Sequence, residues 1–287
     1  MVGYVKIPRA FGPDEDTLLF HYCSPETLLA ICSGKRLRFC DIFSMNDYME
    51  MHWGYRIWEQ VASNLLPSLG KEFLDRIDEV ISTSGTAALP LAACLSTHGD
   101  TLSQWRAYSQ DGIGFSVGFH AKSLMHLPMT PLIVSYNEAE QIEEITEFTE
   151  ALYDYVKSHP NEEEGFFQRA FKLGVDLCAY KNPAFREEGE VRFVHLVRFD
   201  DEHGAPRLVD VPPLNKSYEV QPVKFFMKQG TPVPHLDIPF LGNDGTHPIR
   251  RVVIGPKNPT LPSAVAVMLE TLGLDGVEVV RSSASYR

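Results

Sequence analysis

Apolar and polar positions along this chain recur in short runs that switch between strand and helix periods. Thr17 to Tyr22 is a short apolar strand, and Ser24-Pro25 supplies a helix N-cap followed by proline at the first helical position. The helix carries Leu28, Leu29 and Ile31 and stops at Gly34, after which Arg36 to Cys40 alternates as a half-buried strand. From Asn46 to Leu66 an apolar stripe (Met49, Trp53, Ile57, Val61) recurs at helical spacing, and a second helix is predicted from Lys71 to Ile81. Leu89 to Ser96 and Gly112 to Phe119 read as buried strands, with Thr101 to Tyr108 as a short helix between them.

The stretch from about 137 to 182 is acid-rich and helical in pattern, broken at His159-Pro160, and reads as two helices inserted between strands. Glu190 to Arg198 alternates as a strand, Tyr218 to Met227 continues the sheet, and Arg250 to Ile254 is a buried β-branched strand. Leu261 to Leu272 is an amphipathic helix, and Val277 to Val280 a final strand. The segments Asp200 to Pro213 and Gly230 to Pro248, rich in Pro, Gly and His, read as loops placed to cover a site. Residues 1–287 then form a single α+β domain: a central mixed β-sheet with flanking helices and a helical insertion.

Composition narrows the class. Hydrophobic residues make up 44% and charged residues 22% of 287, which is globular composition. No apolar run reaches the roughly 20 residues of a spanning helix, and the opening residues lack a signal-peptide core, so a cytoplasmic protein with no membrane partner is expected. The five cysteines form no CxxC pair and, Cys40 apart, sit among apolar neighbours, so neither disulfides nor a structural zinc are expected. A net charge of −12 repels phosphate backbones and disfavours non-specific nucleic-acid binding. Lys35, Arg36 and Arg38 are read as a solvated helix end, and the Glu162–Glu164 run as a solvated face.

Four clusters place polar groups where a strand would otherwise continue or beside dense aromatics: HYCS (His21 to Ser24), SMNDYME (Ser44 to Glu50), SQWRAYSQDGIG (Ser103 to Gly114) and YKNPAFREEGEVR (Tyr180 to Arg192). With Ile254-Gly255-Pro256 and the late Ser282, Tyr286 and Arg287, the set resembles an uncharacterised bacterial family filed as a domain of unknown function (DUF 2971 type). That resemblance spans nearly the whole chain and brings no activity.

The opening LLFHYCSPETLLAICSGKRLRF also resembles the first unit of ADP-ribosyltransferase-type folds, in which a strand ends in His-x-Ser/Thr, a short helix follows and a second strand returns. The resemblance implies an ADP-ribosyltransferase-like fold acting on NAD as substrate, in bacterial stress or phage defence, on an unknown acceptor. His21 and Ser24 would hold the adenosine ribose, one aromatic among Tyr48, Trp105 and Tyr108 would stack on nicotinamide, and Glu190 would orient the nicotinamide ribose, with Glu187 and Glu188 competing for the acid role. The chain departs from the pattern at Tyr22, where that family often has glycine.

The chemistry asks for such groups independently. Breaking a bond to nicotinamide builds oxocarbenium-like charge on the ribose, which a fixed carboxylate stabilises. Arg106 and Arg192 offer bidentate donors to a pyrophosphate, and Trp105 or Tyr108 a stacking face. Each residue has a plainer reading too: Trp105 as core, Arg192 paired with Glu190 two positions away, His21 bonded to a neighbouring backbone. On the functional reading His21, Arg106 and Glu190 line one pocket. Two other classes stay open: a non-catalytic sensor of a nucleotide or small ligand, and a hydrolase or nuclease in which Asp47, Glu50, Glu187 and Glu190 gather a divalent cation. No Walker, dinucleotide, HExxH or GxSxG motif occurs.

Overall fold

The computed structural model describes residues 9–44, 49–201, 204, 206–211, 218–284 and 286, with 49–51 and 84–87 by their backbone alone. Strand β1 (Leu18–Cys23) ends at Ser24, whose hydroxyl accepts from the Thr27 amide at 3.1 Å and caps α1 (Pro25–Gly34). The helix ends at Gly34, as its glycine suggests. Lys35 takes the left-handed conformation (φ 50°), its amide reaching the Ile31 carbonyl at 2.8 Å and its Nζ the Leu272 carbonyl at 2.5 Å. Strand β2 (Arg36–Asp41) follows.

Next come α2 (Met49–Leu69), α3 (Lys71–Ala87), β3 (Ala88–Ser96), α4 (Leu102–Tyr108), β4 (Phe115–His120), the one-turn α5 (Ala121–Leu124) and β5 (Thr130–Ile133). Helices α6 (Glu138–Ser158) and α7 (Glu163–Asp176) and the 3-10 turns Leu177–Ala179 and Pro183–Glu188 precede β6 (Glu190–Asp200). Then come β7 (Arg207–Asp210), β8 (Lys224–Lys228), β9 (Thr231–Pro239), β10 (Ile249–Ile254), α8 (Pro262–Thr271) and β11 (Glu278–Arg281).

Two segments expected as loops therefore contain strands, β7 and β9. Strand β9 tolerates Pro232 and Pro234 because its pairing with β2 begins only at His235; before that, β8 is its partner and the other edge needs no donor. The Lys35, Arg36 and Arg38 group is likewise more than a solvated helix end: Arg36 donates to Gln221 and to the Asp237 carbonyl, and Arg38 pairs with Asp237 at 2.8 Å, tying β2 to β9.

The strands form a mixed sheet in the order β11-β10-β4-β1-β3-β2-β9-β8, with β6 along the other edge of β3 and β5 and β7 beyond it. Strands β10 and β11 pair in parallel; the other strand pairs among the described residues are antiparallel. On one face the main core gathers Leu19, Phe39, Val117, Phe119, Phe193 and Leu236 with Leu28 of α1 and Leu269 of α8. Helices α2, α3, α6 and α7 have a core of their own around Ile57, Trp58, Ile77, Ile145 and Leu173. Among the described residues no helix is long and apolar enough to cross a membrane.

Candidate functional site

The sheet splits at β3. Strands β1 and β2 lie on the same edge of it but touch it at different points: Cys40 pairs with Ala92, and Phe20 with Ser96. Among the described residues no strand pairs with Ala93, Cys94 or Leu95 on that edge, and the opening is a cleft of about 240 Å³. One wall is β1 (Phe20, His21, Tyr22); the other is Arg38 and Cys40 of β2 with Phe226, Lys228 and Val233 of β8 and β9; β3 is the base. Tyr108, Lys181, Glu188 and Glu190 also line it.

Each of these side chains is placed by its element. Register with Ser96 sets Glu190 beside the β1 contact point. Gly189, left-handed at φ 49°, ends the 3-10 turn that presents Glu188, and its carbonyl accepts from the Thr97 amide at 2.9 Å. A Cβ there would lie 2.6 Å from Thr97 Oγ1, so both the conformation and the approach require glycine. Lys181 follows a bridge between Ser135 and Tyr180, and its carbonyl and that of Ser135 both accept from Gln141 Nε2 of α6, at 3.0 and 2.8 Å. The helical layer thus holds the lysine's backbone in place.

The charges form a buried chain. Arg192, 0% exposed, donates from Nε and Nη2 to the two Glu190 oxygens at 2.8 and 3.0 Å and from Nη1 to the Cys178 carbonyl at 2.5 Å. Lys181, 2% exposed, bridges Glu188 and Glu190, the latter at 3.2 Å. Tyr108 donates to Glu188 Oε1 at 2.8 Å, and Tyr136 accepts from the Glu190 amide at 3.0 Å. Burial alone would push the Glu190 carboxyl up, but the Arg192 and Lys181 charges hold it down at about 2. In Glu188 burial wins and its pKa is raised, despite Lys181. Burial, reinforced by Glu188, also raises the Tyr108 phenol. Neighbouring carboxyls whose acidities are pushed apart are an arrangement suited to divided acid, base and charge-stabilising roles.

His21 reaches the cleft differently. Phe20, Ser96 and Glu190 are register partners and share one face of the sheet, whereas His21 alternates to the face of Leu19 and Cys23. Its ring turns into the split, with Nδ1 3.1 Å from the Cys94 carbonyl. A carbonyl only accepts, so Nδ1 carries the proton, and burial lowers the pKa and keeps the ring neutral with Nε2 as an acceptor.

The residues singled out in the sequence divide accordingly. His21, Tyr108 and Glu190 line one cleft, and Arg192 lies behind it as the ion-pair partner of Glu190. Arg106 does not line it: its guanidinium sits over the Tyr286 ring, 5.8 Å from the centroid. Trp105, 0% exposed, packs edge-on against Tyr22 at 4.9 Å and donates to Asp100 at 2.7 Å, so it is core. Ser24 is the α1 cap, and Glu187 is exposed on the 3-10 turn. Tyr48 and Asp47 lie outside the described residues, and Glu50 is described by its backbone alone. Among the described residues no group of three or more His, Cys, Asp and Glu side chains could hold a metal ion.

Lys181 was the functional residue hidden from the sequence. It lies seven and nine positions from the two glutamates it joins, and what brings the three together is the 3-10 turn between them, not a regular helix or strand. The one signal was a lysine within a motif that also holds those acids.

No curated protein and no solved structure matches the chain. The model of a family described as protein of unknown function (DUF2971) matches residues 104–193, the stretch that runs from α4 to β6 and supplies Tyr108, Lys181, Glu188, Glu190 and Arg192. In that central segment the chain is similar to the DUF2971 family of proteins of unknown function.

Proposed function

We propose that the cleft binds a nucleotide and breaks its glycosidic bond to nicotinamide, transferring ADP-ribose from NAD to an acceptor. The observation that carries this reading is the Glu188–Lys181–Glu190 group lining the same cleft as a neutral histidine and opposite a cationic wall, Arg38 and Lys228. A cleft of about 240 Å³ is smaller than the roughly 300–1,000 Å³ of pockets that enclose a drug-sized ligand, so it takes the nicotinamide and its ribose and leaves the rest of the dinucleotide outside.

Glu188 is the carboxylate assigned to the reacting ribose. When the C1′–N bond breaks, nicotinamide leaves with the electron pair and C1′ gains positive charge, which a carboxylate stabilises. The acceptor's nucleophile then bonds to C1′ and gives up its proton, for which a carboxyl of raised pKa is a suitable base. Glu190 fixes Lys181, and Lys181 and Tyr108 fix Glu188. His21 Nε2 accepts from a ribose hydroxyl or the carboxamide.

The test is nicotinamide release by the purified chain, alone and with cell extract as a source of acceptor. Glu188→Gln should lower the rate about 100-fold or more with little change in NAD affinity, because the carboxylate acts mainly in the transition state. An unchanged rate would remove Glu188 from that role. One observation favours the sensor reading: both Glu188 oxygens are already engaged, by Tyr108 and Lys181. NAD binding without any nicotinamide release would support it.

A further inference from the structure

Ser282, Ser283 and Tyr286 fold back onto both ends of α4, the helix that carries Tyr108. At the N-terminal end stands Asp100. Its Oδ1 accepts from Trp105 Nε1 at 2.7 Å and Ser282 Oγ at 2.5 Å, and its Oδ2 from the Ser283 amide and hydroxyl, both at 2.7 Å. The Ser282 amide donates to the Ile254 carbonyl at 2.8 Å, so Ser282 is itself anchored on β10. At the C-terminal end stands Asp111. It accepts from Tyr286 at 2.7 Å and pairs with Lys257 at 2.8 Å, while Lys257 and Arg106 both lie over the Tyr286 ring. Gln110 and Asp111 are left-handed (φ 50° and 55°), a conformation uncommon outside glycine, and these contacts hold it.

The inner side of α4 meets the cleft. Gln104 and Tyr108 line it, and Tyr108 supplies a donor to Glu188. The loop before the helix is fixed through Tyr22, which donates to the His98 carbonyl at 2.8 Å and accepts from the Thr101 amide at 2.9 Å. A helix of seven residues has little stability of its own and depends on its surroundings for its position. Hydrogen bonds to a carboxylate are the stronger kind, and Asp100 collects four of them from two otherwise separate pieces of chain.

We infer that Asp100 is a positioning residue: it straps Ser282 and Ser283 to α4 and so sets Tyr108 against Glu188 in the cleft. Its effect on ligand rests on the nucleotide reading; its effect on α4 does not. A static side chain supporting a site through a second layer of hydrogen bonds acts by keeping the first layer in register.

Amide hydrogen exchange of the full chain tests the strap. Asp100→Ala should speed exchange across residues 101–114 about tenfold or more and leave α6, packed in the separate helical core, unchanged. Unchanged exchange over 101–114 would overturn the inference. Should Asp100→Ala not fold, Tyr286→Phe, which removes a single hydroxyl at the other anchor, should still raise exchange at 109–114, and failure to do so counts the same way.

Calorimetric titration with NAD gives the second arm. Asp100→Ala should weaken binding about fivefold or more, and the loss should vanish in a Tyr108→Phe background, a coupling that a merely structural defect would not produce. Faster exchange with unaltered NAD affinity would reduce Asp100 to a structural role. If the wild-type chain binds no NAD, the nucleotide reading fails, while the exchange arm still decides the strap.

Discussion

Glu190 is 7% exposed, yet its carboxyl is held at about 2, because the Arg192 and Lys181 charges outweigh what burial costs it. Breaking a buried pair by removing one partner leaves the other charge without its counter-ion, a loss of about 3–5 kcal/mol. Glu190→Gln is therefore expected to destabilise the fold by that order in urea unfolding, whereas Glu187→Gln, on the exposed side of the same turn, should fall within about 0.5 kcal/mol of wild type. The pH dependence has a definite sign. A depressed carboxyl contributes fully above its ordinary pKa of 4.5, and the contribution fades as pH falls through about 2. The gap between wild type and Glu190→Gln should then narrow below pH 4.5. His21, lowered by burial, behaves in the same sense at a higher window: its neutral ring contributes above 6.5, and acidification below that value costs stability. His21→Asn should flatten the stability profile below pH 6.5; an unchanged slope there would mean that the ring is not the group that titrates.

At the scale of elements, Gly189 is the joint between the turn that presents Glu188 and the strand that presents Glu190. Its left-handed φ of 49° and the 2.6 Å approach of a Cβ to Thr97 Oγ1 make Gly189→Ala a strained substitution, expected to cost about 1–3 kcal/mol and to weaken any ligand of the cleft. A crystal structure with the turn unmoved and stability unchanged would refute this. Legibility followed local physics. The Ser24 cap, the stripe ending in Ile57 and Val61, and the alternation of β6 are short-range patterns, and each marks a real element. The left-handed Lys35 was hidden because its Nζ contact lies just past the end of a helix more than 200 positions away. Strand β9 was hidden by prolines that are tolerated only because of when β2 joins it. The cleft was half visible: His21, Tyr108 and Glu190 were readable as unusual polar positions, but the divergence of β1 and β2 along β3 is a property of register. The reading of Arg106 as a cleft donor went astray because a sequence window shows that α4 is polar and aromatic, not which side meets the cleft, whereas Trp105 is core, as its plainer reading has it.

Among the described residues the two largest hydrophobic cores lie one on the sheet and one among α2, α3, α6 and α7, and the question is whether they melt together. Chain crossings join them: α3 runs directly into β3, and α7 leads through two 3-10 turns into β6, the two strands that pair along all nine residues of β3. Side chains join them as well. Gln141 of α6 is fully buried, accepts from Trp53 of α2 at 2.9 Å and donates to the Ser135 and Lys181 carbonyls, so losing the helical layer would strip Lys181 of its support. Unpairing Lys181 in turn would leave Glu188 and Glu190 buried beside each other with only Arg192 to compensate, which is costly. Each unit therefore raises the cost of opening the other, and urea unfolding is expected to be a single transition. Far-ultraviolet circular dichroism, weighted to the helical layer, and the fluorescence of Trp105, isolated in a Trp53→Phe/Trp58→Phe variant, should give coincident curves. Gln141→Leu, which removes the clamp while keeping the volume, should separate them, with the helical signal lost at lower urea. Two transitions already present in the wild-type chain would mean that the helical layer folds on its own and that the clamp plays no part in coupling it to the cleft.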